Sequence, residues 1–297
     1  METKQTGVLA VLLASMMWAI EPVFAKLSYE NSDFLQTSAV RAIVVVLTAL
    51  LYIFLRGKGN FRVTRKEVYP LAYIGLVGTV FADLIYFFAL TSVPVVNAVL
   101  IGHMQPVFII LIAFFILKED RLTKYDYLGI LLMIISGLLV TTKTAENLAM
   151  LRFGTFGDLL VLAATAAWAT TAIAMRKYLR NLDAGIITFY RFLVAAIVFV
   201  IYLTIISAIH IDNIYQILVG IVVGAGTILY YEGLKRIKAA QVSALELSAP
   251  FFAAVLALLI LGEQVTLMQI SGIFLLTAGV YFMSRKENAE GVAERGK

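Results

Sequence analysis

The amino-acid sequence predicts an all-α integral membrane protein with ten transmembrane helices, and two observations carry this prediction. Apolar residues make up 61% of the 297-residue chain and charged residues 14%, whereas soluble globular proteins carry about 25% charged residues. With a mean hydropathy of +0.92, most side chains must be solvated by lipid. The second observation is a series of apolar runs, each close to the length of about 20 residues that a helix needs to cross a bilayer.

Ten such runs follow one another along the chain. In order, they span residues 6–26, 34–56, 68–90, 95–117, 123–142, 155–177, 184–209, 213–234, 239–261 and 267–284. The first run is longer than the apolar core of a signal peptide, which has about 7–15 residues, so we interpret it as a retained first span. The connections between the runs are short, and the polar tail at 287–297 is expected to be disordered.

The positions of the basic residues predict the orientation. If the N-terminus is cytoplasmic, most Lys and Arg residues fall at the cytoplasmic ends of the runs, and the opposite ends hold Lys26, Lys143 and Arg152. This asymmetry follows the positive-inside rule and places both termini in the cytoplasm of a multi-pass plasma-membrane protein. The formal net charge of +5 is therefore a topology signal, and no nucleic-acid partner is expected.

The two halves of the sequence repeat. The matched positions are Trp18 with Trp168, Arg41 with Arg191, 86–90 (YFFAL) with 230–234 (YYEGL), and Pro106 with Pro250. Because five spans per half is an odd number, the second copy would enter the membrane from the opposite side and form an inverted repeat. We therefore predict a first repeat at 1–143, an extracytoplasmic connection at 144–154, a second repeat at 155–286 and a cytoplasmic tail at 287–297.

Several motifs together resemble the EamA-type family of the drug/metabolite transporter superfamily, and the resemblance covers nearly the whole chain. They are the stretch from Trp18 to Lys26, Arg41, YFFAL followed by Pro106 and Lys118-Glu119, GILLMIISG at 129–137, and LGEQVTLMQISGIFLLTAG at 261–279. The resemblance implies ten helices, cytoplasmic termini and a cavity lined by spans one to four and six to nine. It also implies movement of small polar metabolites, often amino-acid export, without naming a substrate.

Ionisable residues within the predicted spans are the candidates for chemistry, because each costs about 2.5–3.5 kcal/mol to insert. They are Glu21, Arg41, Asp83, His103, Arg191, Glu232 and Glu246. The fifth and tenth spans contain none away from their ends. We expect those two spans to be scaffold that faces lipid or a partner such as a second copy of the chain.

Arg41 and Arg191 occupy matched positions, each about 10 Å of helix rise from the end at which its span begins. One interpretation makes them ion-pair gates, one on each side of the membrane. The other makes them buried structural residues that pin the bundle together. Two well-separated arginines also argue mildly against a tight phosphate site.

The acidic residues are not matched between the halves, so they are where substrate specificity or coupling is expected. Glu246 lies near mid-depth, and Pro250 four residues later frees its carbonyl. It is the first candidate to touch substrate or a proton; the alternative is an internal ion pair with an arginine. Pro106 likewise frees backbone next to His103, which either shuttles protons or packs through a hydrogen bond. We expect helix breaks at Pro22, Pro106 and Pro250.

Aromatic residues accompany two other acids. Glu21 lies one turn beyond Trp18, whose carbonyl Pro22 frees, and a carboxylate beside an aromatic face suits an ammonium group. Alternatively, Glu21 reaches water at the outer interface. Asp83 lies one turn before Tyr86 in similar surroundings.

The remaining candidates have less specific signals. Tyr190 and Tyr230 either line the cavity or pack within the bundle. Glu232 lies near the inner end of its span, where it is expected to pair with Lys235 and Arg236.

These features predict a secondary transporter that exports small polar or cationic metabolites, such as amino acids or amines, by alternating access. Burial favours the protonated form of a carboxyl group, which would permit proton coupling. The alternatives are a passive channel or a small-cation multidrug exporter.

An intramembrane enzyme is not expected. The sequence has no cysteine, no G-x-S-x-G motif and no H-E-x-x-H motif, so the nucleophiles and metal ligands that such motifs supply are missing. The GTFGD stretch at 154–158 resembles an aspartyl-protease motif, but a helix cap at an interface explains it. No cofactor and no metal is expected.

Overall fold

The computed structural model describes residues 3–57, 61–112, 115, 124–151, 154–179, 181–206, 209–237, 242 and 245–293. Within these ranges the chain is helical and no strand occurs, which confirms the all-α prediction. Lys118, Glu119 and Arg152, which the sequence analysis singled out, lie outside the described residues.

The helices follow the predicted runs closely. In the first half they are α1 (Thr3–Ser28), α2 (Phe34–Leu55), α3 (Arg65–Tyr73), α4 (Leu84–Leu90), α5 (Val95–Gly102), α6 (Gln105–Ile112) and α7 (Lys124–Thr142). A short α8 (Ala145–Ala149) lies in the connection. In the second half they are α9 (Phe156–Ala174), α10 (Ala184–Ile206), α11 (Ile214–Leu234), α12 (Ser248–Leu261) and α13 (Leu267–Ala293).

Seven continuous helical regions within the described residues are long and apolar enough to cross a membrane. They are Gln5–Ser28, Phe34–Leu55, Arg65–Leu90, Val95–Ile112, Phe156–Leu179, Ala184–Ile206 and Ile214–Leu234. Three shorter apolar regions, Tyr127–Thr142, Ser248–Leu261 and Leu267–Phe282, coincide with the three remaining apolar runs of the sequence. The chain is therefore a multi-pass membrane protein.

Side-chain caps fix where several helices begin. Asp33 accepts hydrogen bonds from the backbone N–H groups of Leu35 and Gln36, both at 2.8 Å, at the start of α2. Thr155 and Asp158 form a capping box at the start of α9, in which the Asp158 carboxylate accepts from the Thr155 N–H at 2.8 Å. Such bonds satisfy N–H groups that have no partner inside a helix. The GTFGD stretch is thus a helix cap.

The helix is interrupted next to two of the three prolines singled out in the sequence. α5 ends at Gly102 and α6 begins at Gln105, so Pro106 lies in a first turn, where a missing N–H loses no hydrogen bond. Pro250 lies in the first turn of α12 in the same way. The break expected at Pro22 does not occur, because α1 continues through it to Ser28. One lost hydrogen bond does not end a helix whose neighbouring bonds remain.

Among the described residues, two helical segments of five residues or more depart from α-helical geometry, and the sequence did not predict them. Ile74–Asp83 is π-helical and joins α3 to α4, and Met175–Leu179 continues α9 as a π-helix. A π-helix is wider than an α-helix and is found mostly at functional sites. The first of these segments, called the π-segment below, ends at Asp83.

The helices pack in an arrangement that surrounds a centre. α1 packs against α11 and α12, α2 against α10 and α11, and α9 against the π-segment, α5 and α6. α7 and α13 pack mainly against each other, as expected of the scaffold spans. The backbone of α13 is helical to Ala293, beyond residue 287, where disorder was predicted. Lys, Glu and Ala in this tail have good helix propensity.

Close packing at Gly220 generates a first prediction. A methyl group at this position of α11 would lie 2.5 Å from Cβ of Val44 and 3.0 Å from the carbonyl oxygen of Arg41. We expect Gly220→Ala to lower the free energy of unfolding by about 1–3 kcal/mol, the usual cost of overpacking. Thermal unfolding in detergent measures it.

The matched control is Gly102→Ala at the end of α5. There the added methyl group would meet its nearest neighbour, Trp168, at 3.7 Å, an ordinary contact. An unfolding temperature for Gly220→Ala equal to that of this control would contradict the close approach of α2 and α11.

Candidate functional site

A cavity of about 230 Å³ lies at the centre of the bundle. Six of the seven ionisable residues predicted within spans line it, namely Glu21, Arg41, Asp83, His103, Arg191 and Glu246. Its aromatic lining residues include Trp18, Tyr86, Trp168, Tyr230 and Tyr231, and Pro106 also lines it. The structure therefore gathers at one place residues that are spread over most of the chain.

Arg41 of α2 is the centre of the ion cluster. Its Nη1 donates to Oε1 of Glu21 at 3.0 Å, and its Nη2 donates to Oδ2 of Asp83 at 2.9 Å. Only 1% of the Arg41 side chain is exposed, and its guanidinium lies 4.3 Å from the ring centroid of Phe87. A buried charge is tolerated when it is paired in this way.

Asp83 connects this cluster to the second half of the chain. Its Oδ1 accepts a hydrogen bond from the indole Nε1 of Trp168 at 2.7 Å, and Nη2 of Arg191 lies 3.6 Å from the same oxygen. Nε of Arg191 donates to the hydroxyl of Thr79 at 2.9 Å. Both carboxylate oxygens of Asp83 are thus already engaged.

The two matched arginines meet, whereas the sequence analysis placed them apart. Arg41 and Arg191 share Asp83, so the expectation of one gate on each side of the membrane is wrong. Each lies about 10 Å from an opposite face of a core about 30 Å thick, and two long side chains cover the remaining distance. The argument against phosphate from separated arginines therefore no longer holds.

Two aromatic pairs flank the ion cluster. The rings of Trp18 and Tyr230 lie 4.9 Å apart with an interplanar angle of 52°. Those of Trp168 and Tyr86 lie 5.2 Å apart at 57°. Each pair combines one residue from each half of the chain, and Trp faces of this kind attract ammonium groups.

His103 and Glu246 lie side by side in the lining. Nδ1 of His103 lies 2.7 Å from the carbonyl oxygen of Val99, one turn earlier in the helix. This bond is the one expected of a packing histidine. Glu246 lies two residues before α12, next to the turn at Leu247 that interrupts the helix. Its side chain lines the cavity.

Three candidate residues do not line the cavity. Tyr190 donates its hydroxyl to the carbonyl oxygen of Phe61 at 2.8 Å and packs against Phe189, so it is a packing residue outside the cavity lining. Pro22 and Pro250 act on the helix backbone and are not part of the lining.

Glu232 also lies apart from the cavity, at the end of α11. It pairs with Lys235 and Arg236, as predicted, and also with Arg56 of α2 at 3.1 Å. The cross-helix partner Arg56 was not predicted, because nothing in the sequence relates the ends of two distant helices.

One end of the cavity is closed. Beyond Glu21, the residues Val23 and Ala25 of α1 are fully buried. Further along, Nζ of Lys26 lies 2.8 Å from Oε1 of Glu263, whose carboxylate also accepts the backbone N–H of Val95 at 2.8 Å. This Lys26–Glu263 lock connects α1, α5 and the residues after α12. The sequence analysis did not predict this ion pair.

A buried polar chain lies beside the lock. Nδ2 of Asn97 donates to Asp158 at 3.0 Å, and Nε2 of Gln269 donates to Oδ1 of Asn97 at 2.7 Å. All three side chains are buried, and together they connect the beginnings of α5, α9 and α13. This end of the bundle is therefore tied by polar bonds as well as by packing.

The family and relatives of the chain agree with a transport site. The sequence profile of the EamA-like transporter family matches residues 5–142 and 155–285. An uncharacterized transporter of Methanothermobacter thermautotrophicus is 26% identical over 93% of this chain and 85% of its own length. The pseudopaline exporter CntI of Pseudomonas aeruginosa is 26% identical over 65% of each chain.

A solved crystal structure of another protein shares the fold. It superposes with a TM-score of 0.68 at 17% identity and covers 95% of this chain and 99% of that chain. At this identity the similarity concerns the fold alone.

The ion cluster generates a second prediction. Replacing Arg41 by Met would leave Glu21 and Asp83 buried without their main partner, which typically costs about 3–5 kcal/mol. We therefore expect Arg41→Met to lower the unfolding temperature strongly in detergent, or to prevent folding.

Arg56→Met is the matched control. Arg56 is half-exposed, and Glu232 keeps Lys235 and Arg236 when it is lost, so the expected change is at most about 1 kcal/mol. Equal unfolding temperatures for the two variants would contradict a structural role of the cluster.

Proposed function

Because the chain belongs to the EamA-like transporter family, we propose that it is a secondary transporter that exports small polar metabolites, such as amino acids or amines, across the plasma membrane by alternating access. The observation that carries this proposal is the central cavity, at which both halves of the chain place charged and aromatic side chains. A cavity with charged and aromatic side chains inside an apolar bundle is what a carrier needs at mid-depth.

Alternating access rests on ten spans arranged as an inverted repeat, and matched contacts support this arrangement. Trp18 corresponds to Trp168 and Tyr230 to Tyr86 in the repeat. The contact of Trp18 with Tyr230 therefore has the contact of Trp168 with Tyr86 as its counterpart, with nearly equal distance and angle. Two copies related by a two-fold axis produce such paired contacts.

Two glycine contacts repeat in the same way. A methyl group on Gly220 would meet Val44 and the carbonyl oxygen of Arg41, and one on Gly75 would meet Val194 and the carbonyl oxygen of Arg191. The partners correspond in the repeat, because Arg41 matches Arg191 and each valine lies three residues later. The crossing of α2 with α11 thus has the crossing of α10 with the π-segment as its counterpart.

The π-segment fits this correspondence. From Gly75 to Tyr86 the chain has one residue more than from Gly220 to Tyr230. The π-segment, Ile74–Asp83, lies in this interval. Since a π-helix has more residues per turn than an α-helix, it accommodates one extra residue and keeps both ends of the span in register.

The proposed substrate follows from the lining. Three carboxyl groups, those of Glu21, Asp83 and Glu246, line the cavity with two arginines, so negative charge is in excess when all three are ionised. Together with the aromatic pair of Trp18 and Tyr230, this suits a substrate that carries an ammonium group.

Proton coupling would use Glu21 or Glu246, since both oxygens of Asp83 are engaged. The name of CntI as an exporter supports outward transport.

A transport assay tests the proposal. Purified protein is screened for metabolites that raise its unfolding temperature, and the hits are then measured for counterflow in liposomes with and without a pH gradient. We expect at least one amino acid or amine to stabilise the protein and to show counterflow, because a carrier exchanges substrate across the membrane. Saturation and counterflow distinguish a carrier from a channel, so flux without counterflow would contradict alternating access.

In the proposed orientation the Lys26–Glu263 lock lies at the extracellular end, and the structure represents the state in which this end is shut. Transport then requires the lock to open. The sequence contains no cysteine, so cysteines can be introduced without background reactivity.

A reversible bridge across the lock generates the next prediction. We expect the double variant Lys26→Cys, Glu263→Cys, bridged by a short bis-methanethiosulfonate reagent, to lose transport and to recover it after reduction. Substrate binding in detergent should persist, because the cavity remains accessible from the other end.

The two single-cysteine variants are the matched controls, since each receives the reagent without forming a bridge. They should transport substrate before and after treatment. Undiminished transport by the bridged protein would show that this end need not open.

A further inference from the structure

The two matched arginines have different surroundings. Arg41 is 1% exposed, and each of its terminal nitrogens contacts a carboxylate within 3.0 Å. The side chain of Arg191 is 18% exposed and lines the cavity. Both arginines line the cavity, but Arg41 is enclosed by its ion-pair partners, whereas part of the Arg191 side chain remains exposed.

The guanidinium of Arg191 is held in a fixed orientation, but its N–H donors are not all used. Nε donates to Thr79 at 2.9 Å, which fixes the plane of the guanidinium, and Tyr231 is a further hydrogen-bonding neighbour. The 3.6 Å between Nη2 and Oδ1 of Asp83 is too long for a hydrogen bond, and Trp168 already donates to that oxygen. Since a guanidinium has five N–H donors, Arg191 keeps donors for a further acceptor.

A carboxylate is the acceptor that fits these donors. The planar fork of a guanidinium binds the two oxygens of a carboxylate in parallel, with both charge and geometry matched. The ring of Phe192 lies 5.2 Å from the guanidinium carbon and supports its orientation. A substrate with an ammonium group and no acid group would leave these remaining N–H donors of Arg191 without an acceptor from the substrate.

The ammonium group of such a substrate would lie at Glu21, beside an aromatic wall. Oε1 of Glu21 accepts a hydrogen bond from Nη1 of Arg41, and 15% of the Glu21 side chain is exposed. Trp18 and Tyr230 form the neighbouring aromatic wall. The cavity lining thus presents a carboxylate at Glu21 and a guanidinium at Arg191 to the two charged groups of a substrate.

We propose that Arg191 binds the carboxylate of the substrate, so that the transporter carries zwitterionic amino acids in preference to the corresponding amines. This inference rests on the proposed transport function and names the substrate class of the same cavity. It assigns Arg41 to structure and Arg191 to specificity.

Matched pairs of compounds test it. Counterflow in liposomes is measured for L-phenylalanine and phenethylamine, L-histidine and histamine, and L-leucine and isopentylamine, each pair differing only in the carboxylate. For wild type we expect at least one acid to be carried about tenfold better than its amine. In Arg191→Gln this ratio should fall to about one, chiefly through a raised KM for the acid.

Two further variants separate specificity from folding. Arg191→Lys keeps the charge and loses the planar fork, so it should retain part of the preference if Arg191→Gln does not fold. Arg56→Gln, outside the cavity, should keep the full wild-type ratio. Unfolding temperatures of all variants are recorded alongside the rates.

Each outcome bears on a different claim. If wild type carries the amines as well as the acids, or if Arg191→Gln keeps the preference, the inference fails while transport stands. If wild type carries no member of any pair, both the inference and the proposed substrates fail.

Discussion

The carboxylate of Asp83 is the interaction on which the centre of this protein depends. It accepts hydrogen bonds from Arg41 and from Trp168 and lies close to Arg191, so one anion connects α2, the π-segment, α9 and α10. In an apolar interior an ionised group is costly unless it is paired. The pairing at Asp83 therefore lets two arginines reside at mid-depth. Within the described residues, Nε of Arg41 is buried without a hydrogen-bond partner, which shows how tightly this group is enclosed.

Symmetry and asymmetry have separate roles in the bundle. The aromatic pairs and the glycine crossings recur in both halves, and they determine how the helices pack. The acids do not recur: Asp83 corresponds to Thr227 and Glu21 to Thr171, and both threonines also line the cavity. In the proposed repeat, the matched contacts thus enclose a cavity whose charge is distributed unevenly. This uneven distribution gives two equivalent arginines unequal surroundings, and a substrate with two opposite charges can then bind in one orientation.

The closed end of the bundle shows how such a cavity is separated from water. Packed residues such as Val23 and Ala25 seal the path beyond Glu21, and the lock of Lys26 and Glu263 ties the helix ends above them. The lock is partly exposed, so its ion pair is weaker than the buried cluster. A strong ion cluster at mid-depth and a weaker lock at the end suit a protein whose ends open while the contacts at its centre remain.

The sequence by itself determined the helical class, the membrane location and most of the cavity residues. These follow from local hydrophobicity and from the cost of placing charge in a span, so that six of the seven ionisable residues singled out were found around the cavity. Only the tertiary structure decided which of them meet. Depth along a helix does not specify the direction in which a side chain points. The convergence of Arg41 and Arg191 on Asp83, the hydrogen bond from Trp168, the position of Tyr190 outside the cavity and the Lys26–Glu263 lock depend on how helices are rotated and crossed, and so on contacts between residues far apart in the chain.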